Sequence, residues 1–339
     1  MQQLYCGMDL HSSNTYIGML NKKIQRVFKR RVRNDLPLLL ETLAPFKDKM
    51  VGIVVESTFN WYWLVDGLMD AGYKVHLANP GKMKQYQGVK YQGDKHDAFF
   101  LAKLLLLGIL PEGFIYPKEK RPVRDMLRRR SLFVRHHTAH VLSVQSMIQR
   151  NTSKYYRGDQ IKKMPESELT ELLKYEYLVK MALSQINILK ELETQMKTIE
   201  ENVLEQTKLS KPFNRLISIK GVGKIIAMTI MLEVGDIGRF SKSQHFSSYA
   251  RCVPSKKISN GKSKGEENRK NGNKYLSWAF SELVYHAKQH SESIQNYHNK
   301  KVSKTHIMIA SRAIANKFTK AVYYMLRDDV PYKENKLFG

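Results

Sequence analysis

Two long helical stretches narrow most what this chain can fold into. Pro122 suits a helix start, and no Gly or Pro follows until after Arg150. Residues 166–207 read as a second long helix. In it Leu172, Val179 and Ile186 fall seven apart, and so do Ala182, Leu189, Met196 and Val203. A seam lasting about three heptads reaches the threshold for a coiled coil. The two helices pair as an antiparallel hairpin or associate with another protomer. Residues 152–165, with Gly158 and Pro165, read as the turn between them.

The rest of the chain is long enough for further domains. At 339 residues it exceeds what one core usually serves. Hydrophobic residues make up 42% and charged residues 26%, which excludes global disorder. Lys+Arg number 57 against 31 Asp+Glu, a net charge of +26. So basic a body implies a polyanionic partner, nucleic acid first and an anionic membrane second. The excess is concentrated, with a net +6 over residues 121–150 and +5 over 255–274. Only Cys6 and Cys252 occur, which excludes a disulfide framework or Cys-based zinc site and fits a reducing cytoplasm. No apolar run approaches the roughly 18 residues of a membrane span, and the N-terminus has no signal-peptide pattern.

Residues 1–110 alternate between strand and helix patterns. Leu4–Met8, Thr15–Leu20 and the basic, amphipathic Ile24–Val32 predict an antiparallel meander, the last as an edge strand. A helix at Leu36–Phe46, a buried strand at Val51–Glu56, a helix at Trp61–Ala71 and a strand at Lys74–Ala78 follow. A basic loop at 81–88 and a helix from Asp94 to Leu107 complete the region. Three strands, helix, strand, helix, strand, helix is the ribonuclease H-like order. Residues 120–208 form a helical middle domain. Residues 209–330 form a third, mainly helical domain with a Gly-Val-Gly turn at 221–223 and a Lys/Ser/Gly/Asn-rich loop at 255–274. Residues 332–339 read as a frayed tail.

Four groups of residues carry candidate chemistry. Asp9 and Glu56 end predicted strands, while Asp94 and Asp97 share one face at a helix start. Such gathered carboxylates suit paired Mg²⁺ ions, with Mn²⁺ as a substitute. Gly221, Gly223 and Lys224 form a turn between helices whose N–H groups can hold a phosphate. Lys256, Lys257, Lys262, Lys264, Arg269 and Lys274 suit phosphodiester contacts. The serines among them, Ser255, Ser259 and Ser263, are hydrogen-bond donors to phosphate or nucleophiles, and composition does not choose. Arg124, Arg128, Arg129, Arg130 and Arg135 form a basic helix for a nucleic-acid backbone. His136 and His140 sit four apart beside His137, but no third ligand or helical Glu joins them, which argues against zinc.

The ordered set Gly7-Met-Asp9 with His11, Val55-Glu56-Ser-Thr58, Asp94-Lys-His-Asp97, Ile219-Lys-Gly-Val-Gly223, Tyr249-Ala250, Val253-Pro254, Ser259-Asn-Gly261 and Asn271-Gly-Asn273 resembles one family. It is similar to the DEDD-type transposases of the bacterial IS-one-ten insertion-sequence family, IS-one-eleven-eleven subgroup. The resemblance implies a RuvC-like N-terminal domain binding Mg²⁺ through Asp9, Glu56, Asp94 and Asp97. It implies a coiled-coil middle for assembly and a C-terminal domain whose catalytic serine falls at Ser259. It further implies a guide RNA from the element (a bridge RNA or seekRNA) and donor and target duplex DNA. A homo-oligomer, dimer to tetramer, would place the carboxylates of one subunit against the serine of another. The expected location is the cytoplasm, at the nucleoid. Two positions depart from the common pattern: Arg251-Cys252 stands where many members have Gly-Leu, and Asn260 where many have Gly. The alternative is a metal-dependent ribonuclease H-like nuclease or junction resolvase that uses water as nucleophile.

Overall fold

The computed structural model describes residues 3–83, 94–266 and 271–338; the side chains of 94–96, 256–258, 263 and 266 are outside that description. The chain divides into two compact units, Met1–Glu119 and Lys120–Gly339.

The first unit is built on a five-stranded sheet. β1 (Leu4–Leu10), β2 (Asn14–Asn21) and β3 (Arg26–Arg33) form the antiparallel meander. β4 (Met50–Glu56) pairs parallel to β1, and β5 (Val75–Ala78) parallel to β4. The strand order is β3-β2-β1-β4-β5, the ribonuclease H-like order. β1 is buried on both faces and so lies at the centre, while β3 is exposed at most positions and lies at the edge. Parallel pairs need crossovers, supplied here by helices. α1 (Leu36–Leu43) and α2 (Tyr62–Asp70) pack Leu39, Leu43, Leu64 and Leu68 against Cys6, Met8, Ile17 and Ile53 on one face. A short α3 (Pro80–Met83) follows β5, where the sequence suggests a loop, and residues 84–88 of that loop lie outside the described residues. α4 (Asp94–Leu106) covers the other face of the sheet, with Phe99, Leu101 and Leu104 against Leu20 and Val54.

In the second unit α5 (Arg121–Thr152) and α8 (Glu176–Thr207) run antiparallel. Arg130 meets Glu200 near one end, and His137 meets Glu193 further along. The predicted single helix over 166–207 is two. α7 (Glu166–Leu173) stops at Lys174, whose φ of 62° is left-handed and whose N–H bonds back to Thr170. Turning there lets Leu169 and Leu173 join Val144, Ile148, Val179 and Ile186 in a buried cluster. Leu172 therefore leaves the heptad seam, which α8 carries through Val179, Ala182, Ile186, Leu189 and Val203. The turn expected at 152–165 holds a further helix, α6 (Gly158–Lys163).

The remaining helices are α9 (Lys211–Ile217), α10 (Lys224–Val234), α11 (Ser243–Tyr249), α12 (Lys274–His290), α13 (Glu292–Val302), α14 (Ile307–Arg327) and α15 (Asn335–Phe338). They enclose a core of Leu216, Ala227, Phe246, Phe280, Leu283 and Phe318. The expected loop at 255–274 contains a hairpin, β6 (Lys256–Ser259) and β7 (Lys262–Glu266). The expected frayed tail is docked. Phe338 packs its ring 5.5 Å from those of Tyr297 and Phe318, and the Lys317 ammonium donates to the carbonyl of Leu337.

Candidate active site

In the first unit the backbone brings three of the four predicted carboxylates together. On β1, Leu4, Cys6, Met8 and Leu10 face the α1–α2 side, so Gly7 and Asp9 face α4. α4 lies close over this face, and a Cβ on Gly7 would collide with the backbone of Ala98 and Ala102. That approach carries Asp97, one residue before Ala98, toward β1. Glu56, two residues past Val54, ends β4 on the same face. Asp9 is buried, at 6% exposure, and an oxygen of its carboxylate lies 3.1 Å from Nε2 of His11.

Electrostatics record the convergence. The carboxyl of Glu56 is pushed above its ordinary value, first by burial, then by the negative charges of Asp9 and Asp97, with His11 opposing. The loop after β1 is fixed by Asn34 and Asn60, whose side-chain amides both donate to the carbonyl of His11. His11 faces Asp9 because residues two apart on an extended chain share a side; the Asp-x-His spacing is its sequence signal. Asp94 begins α4, but its side chain is outside the described residues. Among the described residues no three His, Cys, Asp or Glu side chains are grouped closely enough to hold a metal ion. The donor chemistry is of the type a hard cation takes: carboxylate oxygens directed to one face of the sheet, one of them on a carboxyl whose ionisation is resisted by burial and by like charge.

In the second unit Ser259 is exposed and ends β6, opposite Lys262. The turn between them is Asn260-Gly261, with φ of 50° and 70°. Positive φ at both central residues is what a type I′ hairpin requires, and Asn-Gly is its strongest sequence signal. Arg251, the other departure from the family pattern, also has a left-handed φ, 57°. Ser255 precedes β6, and Ser263 sits in β7 opposite Ile258. Among the described residues no histidine or carboxylate hydrogen-bonds to Ser259.

A buried polar network fixes the start of α12. Asn273 caps α12 through the N–H groups of Tyr275 and Leu276, and donates to Glu233 at 2.6 Å. Arg128 grips the same carboxylate at 2.6 and 2.7 Å and lies over the ring of Tyr275. The pairing with Glu233 holds the guanidinium more firmly protonated, against the cost of burial.

This changes the picture of the Arg helix. Arg124 is buried beside Asp125, Arg128 is committed to Glu233, and Arg130 to Glu200. Only Arg129 and Arg135 of the predicted five stand exposed. His136 is exposed, and His137 bonds Glu193. The Gly-Val-Gly turn rims a cleft of about 730 Å³ with Arg130, Trp278 and His286. Gly221 has φ of 89°, and a Cβ there would lie 2.5 Å from the amide nitrogen of Ala287. Gly223 begins α10 with no side-chain cap, leaving its first-turn N–H groups open beside the exposed Lys224. Lys262, Lys264 and Lys274 are exposed, the side chains of Lys256 and Lys257 are outside the described residues, and so is all of Arg269.

A mixed 3-2-1-4-5 sheet bearing clustered acids, followed by long helices and a helical C-terminal region, is compatible with a DEDD nuclease fold. Residues 6–151 match the family model for DEDD transposases of the IS110 type, and residues 213–299 match that of the transposase IS116/IS110/IS902 family. The chain belongs to this family of insertion-sequence transposases. Among curated relatives, it is similar to the transposase for insertion sequence element IS1111A of Coxiella burnetii, at 24% identity over 91% of this chain and 85% of the relative. It is also similar to the transposase for insertion sequence element IS1533 of Leptospira borgpetersenii, at 23% identity over 70% of this chain and 73% of the relative. A probable family 20 transposase of Pseudomonas aeruginosa shares 24% identity over 63% of this chain and 64% of its own length. Among the described residues no helix is long and apolar enough to cross a membrane.

Proposed function

We propose that this transposase cuts and exchanges DNA strands through a phosphoserine link at Ser259. The observation that carries the reading is the placement of Asp9, Glu56 and Asp97 toward one face of the sheet, where burial first, and then the charges of Asp9 and Asp97, push the Glu56 carboxyl up. Asp9, Glu56, Asp94 and Asp97 would hold Mg²⁺, or Mn²⁺ in its place, which supplies Lewis acidity toward phosphoryl oxygens. Ser259 Oγ forms a bond to the scissile phosphorus as the bond to the 3′ oxygen breaks. The serine proton passes to that oxygen, giving a free 3′-hydroxyl. The hydroxyl then attacks the serine-linked strand of the partner DNA and releases Ser259, so phosphodiester bonds are conserved.

The reading extends to assembly. An element-encoded guide RNA, a bridge RNA or seekRNA, pairs with donor and target duplexes, and the protein holds backbone and shape. The helical region 120–208 supports a homo-oligomer, dimer to tetramer, in which acids of one subunit face the serine of another. That arrangement accords with the lack of a base beside Ser259 among the described residues. The same observation favours the alternative, a water-using ribonuclease H-like nuclease or junction resolvase. The reaction takes place in the cytoplasm, at the nucleoid.

One assay separates the readings. The full chain is incubated with its RNA, Mg²⁺ and labelled DNA, and covalent protein–DNA adduct is measured after denaturation. We expect an adduct that Ser259→Ala removes, and in Asp97→Ala no cleavage with RNA affinity near normal. Cleavage with no adduct in the wild type would leave the nuclease standing.

A further inference from the structure

The acidic site lies beside a strongly cationic edge. Residues 22–34 hold Lys22, Lys23, Arg26, Lys29, Arg30, Arg31 and Arg33, with no Asp or Glu among them. They form the turn between β2 and β3 and the strand β3 itself, the open edge of the sheet. Cross-strand pairing sorts them by face. Gly7 pairs with Gly18 and Gly18 with Lys29; Asp9 pairs with Tyr16 and Tyr16 with Arg31; Asn14 pairs with Arg33. Directly paired residues share a face. Gly7 and Gly18 both face α4, so Asp9, Lys29, Arg31 and Arg33 all point to that side. Arg30 pairs with the core residue Ile17 and points to the other.

We infer that Lys29, Arg31 and Arg33 form a ridge that binds the phosphate backbone of duplex DNA and leads it to the carboxylate site. Asp9, Tyr16 and Arg31 make one row across three strands, so the backbone of Arg31 lies about 10 Å from that of Asp9. Same-face residues on a strand recur every 6.8 Å or about that, twice the roughly 3.4 Å axial rise per phosphate on one DNA strand. The three side chains are exposed. Arg31 donates to the side chain of Asn14 at 2.9 Å, which extends the guanidinium over this face, and Arg33 lies 3.6 Å from the half-buried Asp35 that caps α1. Cationic side chains also protect an open edge from pairing with another strand. Edge protection alone does not ask for a run of cations aligned with buried acids. The link to cleavage rests on Asp9 being part of the active site; the DNA contact does not.

The test uses the full chain and a labelled 30-bp DNA duplex, with affinity measured across a potassium chloride series. The triple variant Lys29→Gln, Arg31→Gln, Arg33→Gln should make the slope of log affinity against log salt shallower by about 2 to 3, near 0.9 for each phosphate no longer neutralised. Arg30→Gln, on the opposite face, should leave the slope unchanged. An unchanged slope in the triple variant, with or without aggregation, overturns the ridge. So does an effect of Arg30→Gln as large as that of one ridge residue, or a loss confined to an RNA duplex run in parallel. Asp9→Asn should keep the wild-type DNA slope and lose cleavage. If it still cleaves, the active-site reading fails while the ridge stands.

Discussion

Helix α5 and strand β3 are both rich in arginine, and they turn it in opposite directions. In α5 Arg124 and Arg128, four apart, turn inward, and Glu233 and Glu200 from neighbouring helices take Arg128 and Arg130. In β3 a two-residue period at an open edge leaves Lys29, Arg30, Arg31 and Arg33 all exposed. Charge density along the sequence does not tell a structural cation from one offered to a ligand. The deciding quantities are the period of the element and the acids its neighbours bring. Arg128 and Glu233 lie 105 positions apart, so composition around either hides the pair.

The largest effect that can break this comparison is at Arg128. Arg128→Ala should destabilise the second unit by about 3 kcal/mol, because Glu233 is left buried without its cation and with only the Asn273 amide on its carboxylate. Chemical denaturation reads the loss, and the salt slope of DNA binding by the folded fraction should stay unchanged. A stable variant with a shallower slope would make Arg128 a phosphate contact, as Arg129 and Arg135 are expected to be, rather than a structural cation. A smaller effect is expected at the two exposed positions of α5. Arg129→Gln and Arg135→Gln should each change stability by less than about 0.5 kcal/mol and reduce the salt slope by about 0.9.

The smallest effect lies further along α5. Glu193 on α8 is held below its ordinary 4.5, first by a hydrogen bond from Lys162 and also by His137. A depressed carboxyl stabilises the fold fully above 4.5 and loses that contribution as pH falls through the lowered value. The pair is largely exposed, so about 0.5 kcal/mol is at stake. Denaturation midpoints measured from pH 6 to pH 3 should fall less steeply for Lys162→Met than for the wild type.

Much of the fold is legible without coordinates. The alternation in Ile24–Val32 marks an edge strand, the apolar run before Glu56 marks a buried one, and Pro122 starts α5 within a residue. Other features are hidden for physical reasons. Lys174 carries no turn signal; its left-handed turn is imposed by the burial of Leu169 and Leu173 against α5. The docked tail depends on a pocket between Tyr297 and Phe318 that only tertiary packing builds. The hairpin at Ser259 is the opposite case. Asn260-Gly261 announces it, but the lysines and serines around it have the composition of a loop. Of the candidate acids, the convergence of Asp9, Glu56 and Asp97 follows from strand ends meeting a helix start. His11 is readable only as a neighbour of Asp9.

Gly7 has a consequence beyond packing. Its missing side chain lets the backbone of α4 rest on β1, so the separation of Asp9 from Asp97 is gauged by an empty Cβ position. Oxygen ligands stand about 2.0–2.1 Å from Mg²⁺ and about 2.3–2.6 Å from Ca²⁺, a difference of a few tenths of an ångström. A methyl group at position 7 would have to displace the helix by more than that. If these acids grip a cation as proposed, the glycine at position 7 fixes how closely two of them can meet around it.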